Sequence, residues 1–136
     1  MSEQTKAVAR NFLETAWGKR DIDGIEKHVT ADHINHGPFT DQMPAGVEGD
    51  KAFVSSFLTA FPDVRYTIDQ QEDEGDLVRT WVTFRGTQTG QLMDIPPTGR
   101  QVTVPVLITD RIAEGKIVES WAEWDPNDML RQLGVG

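Results

Sequence analysis

The hydrophobic period of this chain changes once, at Pro62, and that change restricts what it can fold into. Before Pro62 apolar residues recur every three to four positions. Val8, Phe12 and Ala16, widened by Leu13 and Trp17, predict a helix over residues 3–18. Asp21 is placed to cap a second short helix carrying Ile22, Ile25 and Val29. Residues 37–47 contain Gly and Pro and read as a loop. Residues 48–61 read as a third helix with Phe53, Phe57 and Phe61 on one face. After Pro62 the period becomes two, in four runs: Val64–Ile68, Val78–Phe84, Val102–Ile108 and Ile117–Trp121. Asp125 as N-cap, Pro126 at the first helical position and Gly134 at the end outline a closing helix. Helices followed by strands at hairpin spacing predict an α+β fold with an antiparallel sheet.

At 136 residues, with no repeat or linker, the chain reads as a single domain over residues 1–136. No apolar run reaches membrane-spanning length, and MSEQTKAVAR lacks the apolar stretch of a signal peptide. A cytoplasmic location is the expectation. A net charge of −9 argues against nucleic acid or an anionic membrane as partner. No Lys or Arg interleaves with Trp17, Trp81, Trp121 and Trp124 as a nucleic-acid stacking platform requires. With no cysteine, disulfides, thiolate catalysis and Cys-ligated metals are excluded. GTQTG and PPTGR lack the order of a phosphate loop and read as turns.

Glu114-Gly115 lies between two strand patterns, which suits a two-residue hairpin loop. That register pairs Ile112 with Ile117, Asp110 with Glu119 and Ile108 with Trp121. Asp110, Glu119, Trp121, Glu123 and Asp125 then share one face, either the wet outer face of the sheet or the polar floor of a pocket. His33 and His36 are three apart, so on a strand only one of them sees a pocket. A metal needs three convergent ligands, and no such set is apparent; none is expected.

INHGP around His36, TAFPD at 59–63, EGD at 74–76, GTQTG at 86–90, IPPTGR at 95–100, RIAEGKIVESW at 111–121 and WDPNDMLRQLG at 124–134 follow one another in a characteristic order. In these pieces, and over almost its whole length, the chain resembles the SnoaL-like polyketide cyclases, also called ester cyclases. The resemblance implies an NTF2-like cone, a curved antiparallel sheet wrapped around N-terminal helices with one deep pocket. It also implies a homodimer formed through the sheet and aldol ring closure on a polyketide ester without metal or cofactor. The essential acid/base of such cyclases is an aspartate near the C-terminus, matched here by Asp125, with Glu119 and Trp121 beside it in E-x-W-x-x-x-D.

A carboxylate is a weak base in water, and burial beside apolar rings raises its pKa toward working pH. The enolate oxygen needs a donor, for which His36, His33, Trp81 and Tyr66 are candidates. The expected site therefore has Asp125 and His36 at the chemistry. Glu119, Trp121, Asp110, Trp81, His33 and Phe57 surround a small apolar ligand in a pocket of roughly 300–1,000 Å³. Asp125 before Pro126 is equally suited to capping the last helix, and His33 to a structural role. A ligand binder without catalysis is the main alternative. An epoxide hydrolase of the limonene type is disfavoured because Ile108 stands where its arginine would precede Asp110. A ketosteroid-isomerase-like site lacks a clear oxyanion pair, Tyr66 being the only tyrosine.

Overall fold

The computed structural model describes residues 2–135. Helix α1 spans Ser2–Leu13 and runs on into a wider π-helical turn, Glu14–Gly18, which buries Trp17. A 3-10 turn at Asp23–Lys27 follows, shorter than the helix expected there, and it buries Ile25 completely. Strand β1 is Val29–His36, and helix α2 is Val47–Ala60. Strands β2 (Arg65–Glu74), β3 (Leu77–Thr87), β4 (Gln101–Ala113) and β5 (Lys116–Glu123) come next. Helix α3, Pro126–Leu133, closes the chain.

The five strands form one sheet in the order β1-β5-β4-β3-β2. The pairs from β5 to β2 are antiparallel, and β1 joins β5 in parallel. A parallel neighbour needs a long crossover rather than a hairpin, and residues 37–115 separate these two strands. β1 is the strand that the sequence did not announce. Its residues DHINH carry polar side chains toward both sides, so no apolar alternation marks it.

The sheet curves around α1 and α2 as an open α+β cone. Val78, Thr80 and Val82 of β3 and Val102, Val104 and Ile112 of β4 are buried on its concave face, with Ile117 of β5. Each such aliphatic side chain stabilises the fold by roughly 1.5–3 kcal/mol through removal from water. Gly46 starts α2 with φ 74°, and a Cβ there would strike the Ala31 carbonyl, so the close approach of this loop to β1 requires glycine. Among the described residues no helix is long and apolar enough to cross a membrane.

The hairpin joining β4 and β5 turns at Glu114 (φ 52°) and Gly115 (φ 78°), the two left-handed residues of a two-residue loop. Ile112 faces Ile117, as this loop requires. The next pair is Arg111 with Glu119, so Val118 has no residue opposite. This β-bulge moves every later pair by one. Asp110 faces Ser120 rather than Glu119, and Ile108 faces Ala122 rather than Trp121. Because side chains alternate, the single extra residue puts Ser120 on the concave face and Glu119, Trp121 and Glu123 on the convex face.

Candidate active site

A cavity of about 150 Å³ lies between the concave face and the helices. Its wall includes Trp17, Phe53, Phe57, Phe61, Phe84 and Trp124, with Val54, Val104, Val106 and Ile108. Phe53 and Phe57 stack with centroids 4.8 Å apart, and Trp124 meets Phe57 edge-on at 6.3 Å. These rings occupy much of the cone, which leaves the cavity smaller than the range expected from sequence. Arg85 is exposed at its rim.

One polar cluster interrupts this apolar wall. Asp50, His33, Ser120 and Asp110 come from α2, β1, β5 and β4 and form a continuous hydrogen-bonded chain. His33 Nδ1 lies 2.6 Å from Asp50 Oδ2, and its Nε2 lies 2.8 Å from Ser120 Oγ. Ser120 Oγ–H donates to Asp110 Oδ1 at 2.5 Å. Asn35 Nδ2 donates to the other Asp50 oxygen at 3.5 Å. All four members of the chain are at least nine-tenths buried and line the cavity.

Each position has a local cause. Asp50 sits in the first turn of α2, where the helix dipole favours an anion, on the same face as Phe53 and Phe57. His33 and Asn35 share the inward side of β1, whereas Ile34 and His36 do not. Ser120 is turned inward by the Val118 bulge. Asp110 continues the inward series of β4 and is 5% exposed. Burial pushes its carboxyl up from an ordinary 3.8 to about 6; the Asp50 charge adds to the rise, and the Ser120 hydrogen bond and the His33 charge oppose it.

Of the residues expected at the site, Asp110, His33 and Phe57 line the cavity. Asp125 does not. Its Oδ1 accepts from the N–H groups of Asn127 and Asp128 at 3.0 and 3.2 Å, capping α3, and its side chain is 63% exposed. Oδ2 faces Arg131 at 3.8 Å rather than the cavity. His36 is also outside, with its side chain 48% exposed. It stacks on Trp121 at 5.5 Å, and its Nε2 meets Glu119 Oε2 at 2.7 Å. The other Glu119 oxygen accepts from Arg111, whose guanidinium lies 5.4 Å from the Trp121 ring centre. Glu119, Trp121 and His36 thus form a convex-face cluster, a consequence of the shifted register. Trp81 lies on that face as well, opposite Leu107. Tyr66 lies off the cavity wall and donates to Glu14 Oε1 at 2.6 Å; burial and this partner raise its pKa.

Asp50 and Ser120 were not singled out by sequence. Asp50 is a carboxylate three and seven residues before Phe53 and Phe57, on the inward stripe of a helix, and that misplacement was the available signal. Ser120 had none, since its orientation depends on the bulge. Among the described residues, no group of three His, Asp or Glu side chains converges as a metal ligand set.

The likeness to known proteins is extensive. The family model described as SnoaL-like polyketide cyclase matches residues 7–133. TsrD from Streptomyces laurentii is 25% identical and superposes with a TM-score of 0.88, over 100% of this chain and 98% of its own. IdmH from Streptomyces antibioticus, described as "a putative polyketide cyclase", is 31% identical with a TM-score of 0.81, over 97% of this chain and 99% of its own. AclR from Streptomyces galilaeus, described as "a putative hydroxylase", is 28% identical with a TM-score of 0.81, over 98% and 82%. No curated protein matches the chain. With the family model spanning nearly all of it and the cone in place, the chain belongs to the SnoaL-like polyketide cyclase family.

Proposed function

We propose that this protein binds a small apolar carbonyl compound and catalyses aldol-type ring closure, or a related proton transfer, with Asp110 as the acid/base. The observation that carries this reading is a buried carboxyl, held by one hydroxyl, at the end of the polar cluster in the wall of a cavity lined mainly by aromatic and aliphatic side chains. A base with a pKa of about 6 is largely ionised at neutral pH, yet basic enough to share a proton with a carbon acid. Thr80 lies in the same wall. Its oxygen accepts from Gln71 at 3.1 Å, leaving the hydroxyl proton to donate to an enolate oxygen. A cavity near 150 Å³ suits one six-membered ring. Longer polyketide-like esters would extend past the rim at Arg85. Every step in this scheme uses side chains of the chain itself.

The assignment moves the acid/base role from Asp125 to Asp110, because Asp125 has one oxygen committed to the cap and the other beside Arg131. Cyclohexanone in D2O tests it. The wild-type chain should accelerate deuterium wash-in at the α-carbons, followed by NMR. Asp110→Asn should lose at least about 100-fold of that rate, the usual scale of general base catalysis. Loss in Asp125→Asn with retention in Asp110→Asn would return the role to Asp125. Saturable binding with no exchange above buffer would make the protein a binder.

The expected homodimer is retained as part of this reading. The convex face presents Ile34, Trp81, Leu107 and Trp121 around the Glu119 cluster, an apolar surface suited to a second copy. Sedimentation equilibrium would find a monomer if this is mistaken.

A further inference from the structure

With Asp50 held as an anion in the first turn of α2, the Asp50–His33–Ser120–Asp110 chain admits two complete arrangements of its protons. Ser120 has one hydroxyl proton and two neighbours, at 2.8 Å and 2.5 Å. If that proton points to an ionised Asp110, then Nε2 of His33 must carry its own proton to reach Ser120 Oγ. Nδ1–H meets Asp50, so the ring is an imidazolium. If Asp110 is the neutral acid, its O–H donates to Ser120 Oγ and the Ser120 proton turns to a bare Nε2. The imidazole is then neutral and still holds Nδ1–H against Asp50. Other arrangements with Asp50 ionised set donor against donor or acceptor against acceptor among buried groups. Both complete states contain the same protons and the same net charge. They interconvert when the Asp110 O–H bond breaks as a Ser120 O–H bond forms, and the original Ser120 O–H breaks as His33 Nε2–H forms.

We infer that Ser120 passes a proton between Asp110 and His33, so that the cavity carboxylate is freed for proton abstraction by storing its proton on an imidazolium held by Asp50. This deepens the reading of Asp110 as the acid/base and rests on it for its catalytic meaning. The charged and polar groups facing the chain come from every element packed on it: Asp50 from α2, Asn35 from β1, Asp110 from β4 and Thr80 from β3. The route runs through the wall. All four of its side chains line the cavity and are joined to one another without passing through the cavity space. His33 and Asp50 also line a second hollow of about 430 Å³, between β1, the loop at Met43–Gly46 and α2. The imidazole end of the chain therefore borders a hollow that Asp110 and Ser120 do not line.

Ser120 is a positioning residue in this scheme, and the test reads the histidine directly. The ring nitrogens of His33 are followed by 15N NMR against pH in wild type, Asp110→Asn, Ser120→Ala, the double variant and Ser120→Thr. Asp110→Asn removes the anion that stabilises the imidazolium arrangement, and with its Nδ2 toward Ser120 Oγ it favours the neutral-imidazole one. The His33 midpoint should fall by at least one pH unit on this change. In the Ser120→Ala background the same change should move it by less than half as much, because only through-space charge remains. Ser120→Thr, which keeps the hydroxyl, should restore the full response. An equal response with and without the hydroxyl overturns the relay, as does a midpoint that ignores Asp110→Asn. If Ser120→Ala does not fold, Ser120→Cys supplies a weaker donor and must give an intermediate response; a full response there also overturns it. The readout needs no turnover. A hydroxyl-dependent response in a chain that never exchanges cyclohexanone would leave the relay standing and remove the catalytic reading. Asp110-dependent exchange without such a response would do the reverse.

Discussion

Replacing Asp110 by Asn should make the protein more stable at neutral pH, and the gain should vanish in acid. In the unfolded chain the carboxyl titrates near its ordinary 3.8, and in the fold burial lifts it to about 6. Between those values the native chain keeps a proton that the unfolded chain has released. Stability is therefore fully present below the lower value and is lost as pH rises through the upper one. The separation of about two pH units corresponds to roughly 3 kcal/mol, at about 1.4 kcal/mol per unit. An asparagine side chain has no charge to desolvate, and its Nδ2 can donate to Ser120 Oγ as the neutral acid would. Any fixed cost of the amide cancels when the difference between variant and wild type is compared across pH. For a domain of this size, 1 kcal/mol moves Tm by about 3–4 °C, so the difference should grow by up to about 10 °C between pH 4 and pH 7.5. Thermal unfolding followed by circular dichroism at four pH values measures it. A difference that is flat with pH, or that falls as pH rises, would refute the claim that burial governs this carboxyl.

Asp125→Ala should cost about 1 kcal/mol in urea unfolding through loss of the α3 cap, while cyclohexanone exchange stays within about twofold of wild type. Glu119→Gln should likewise leave exchange within about twofold, since its carboxylate is tied to His36 and Arg111 on the opposite face; a tenfold loss would mean that the convex cluster serves the reaction. Val106→Phe should fill the cavity and abolish quenching of tryptophan fluorescence by cyclohexanone with Tm little changed, as Val106 is a half-buried wall residue.

Much of the fold was legible because periodicity reports directly on burial. Phe53 and Phe57 on α2, and the alternating runs of β3 and β4, appear in the structure as the sequence patterns them. β1 was not legible, because His33 and Asn35 point inward and polar side chains give no alternation. The site divided along the same line. Asp110 belongs to a strand whose inward series is regular, so its face could be read. Glu119 and Trp121 lie past Val118, and nothing distinguishes Val118 from an ordinary β-branched strand residue; its unpaired state is a property of the sheet. Asp125 was legible as a cap, which is how the structure uses it. His33 and His36 were correctly seen as alternatives, but parity along a strand says only that they differ, not which of them faces in.

Val118 makes the chemistry of this cone sensitive to single-residue insertions and deletions in a way that its loops are not. A relative with every acidic residue intact and the bulge kept, but one residue more between Ile117 and Glu119, would bring a glutamate opposite Asp110 and send the serine to the outer surface. Two carboxyls would then confront each other across the hairpin with no hydroxyl between them and His33. When such chains are aligned, a gap misplaced by one position exchanges the interior of the protein for its exterior, so function should be transferred between them only after this register has been checked.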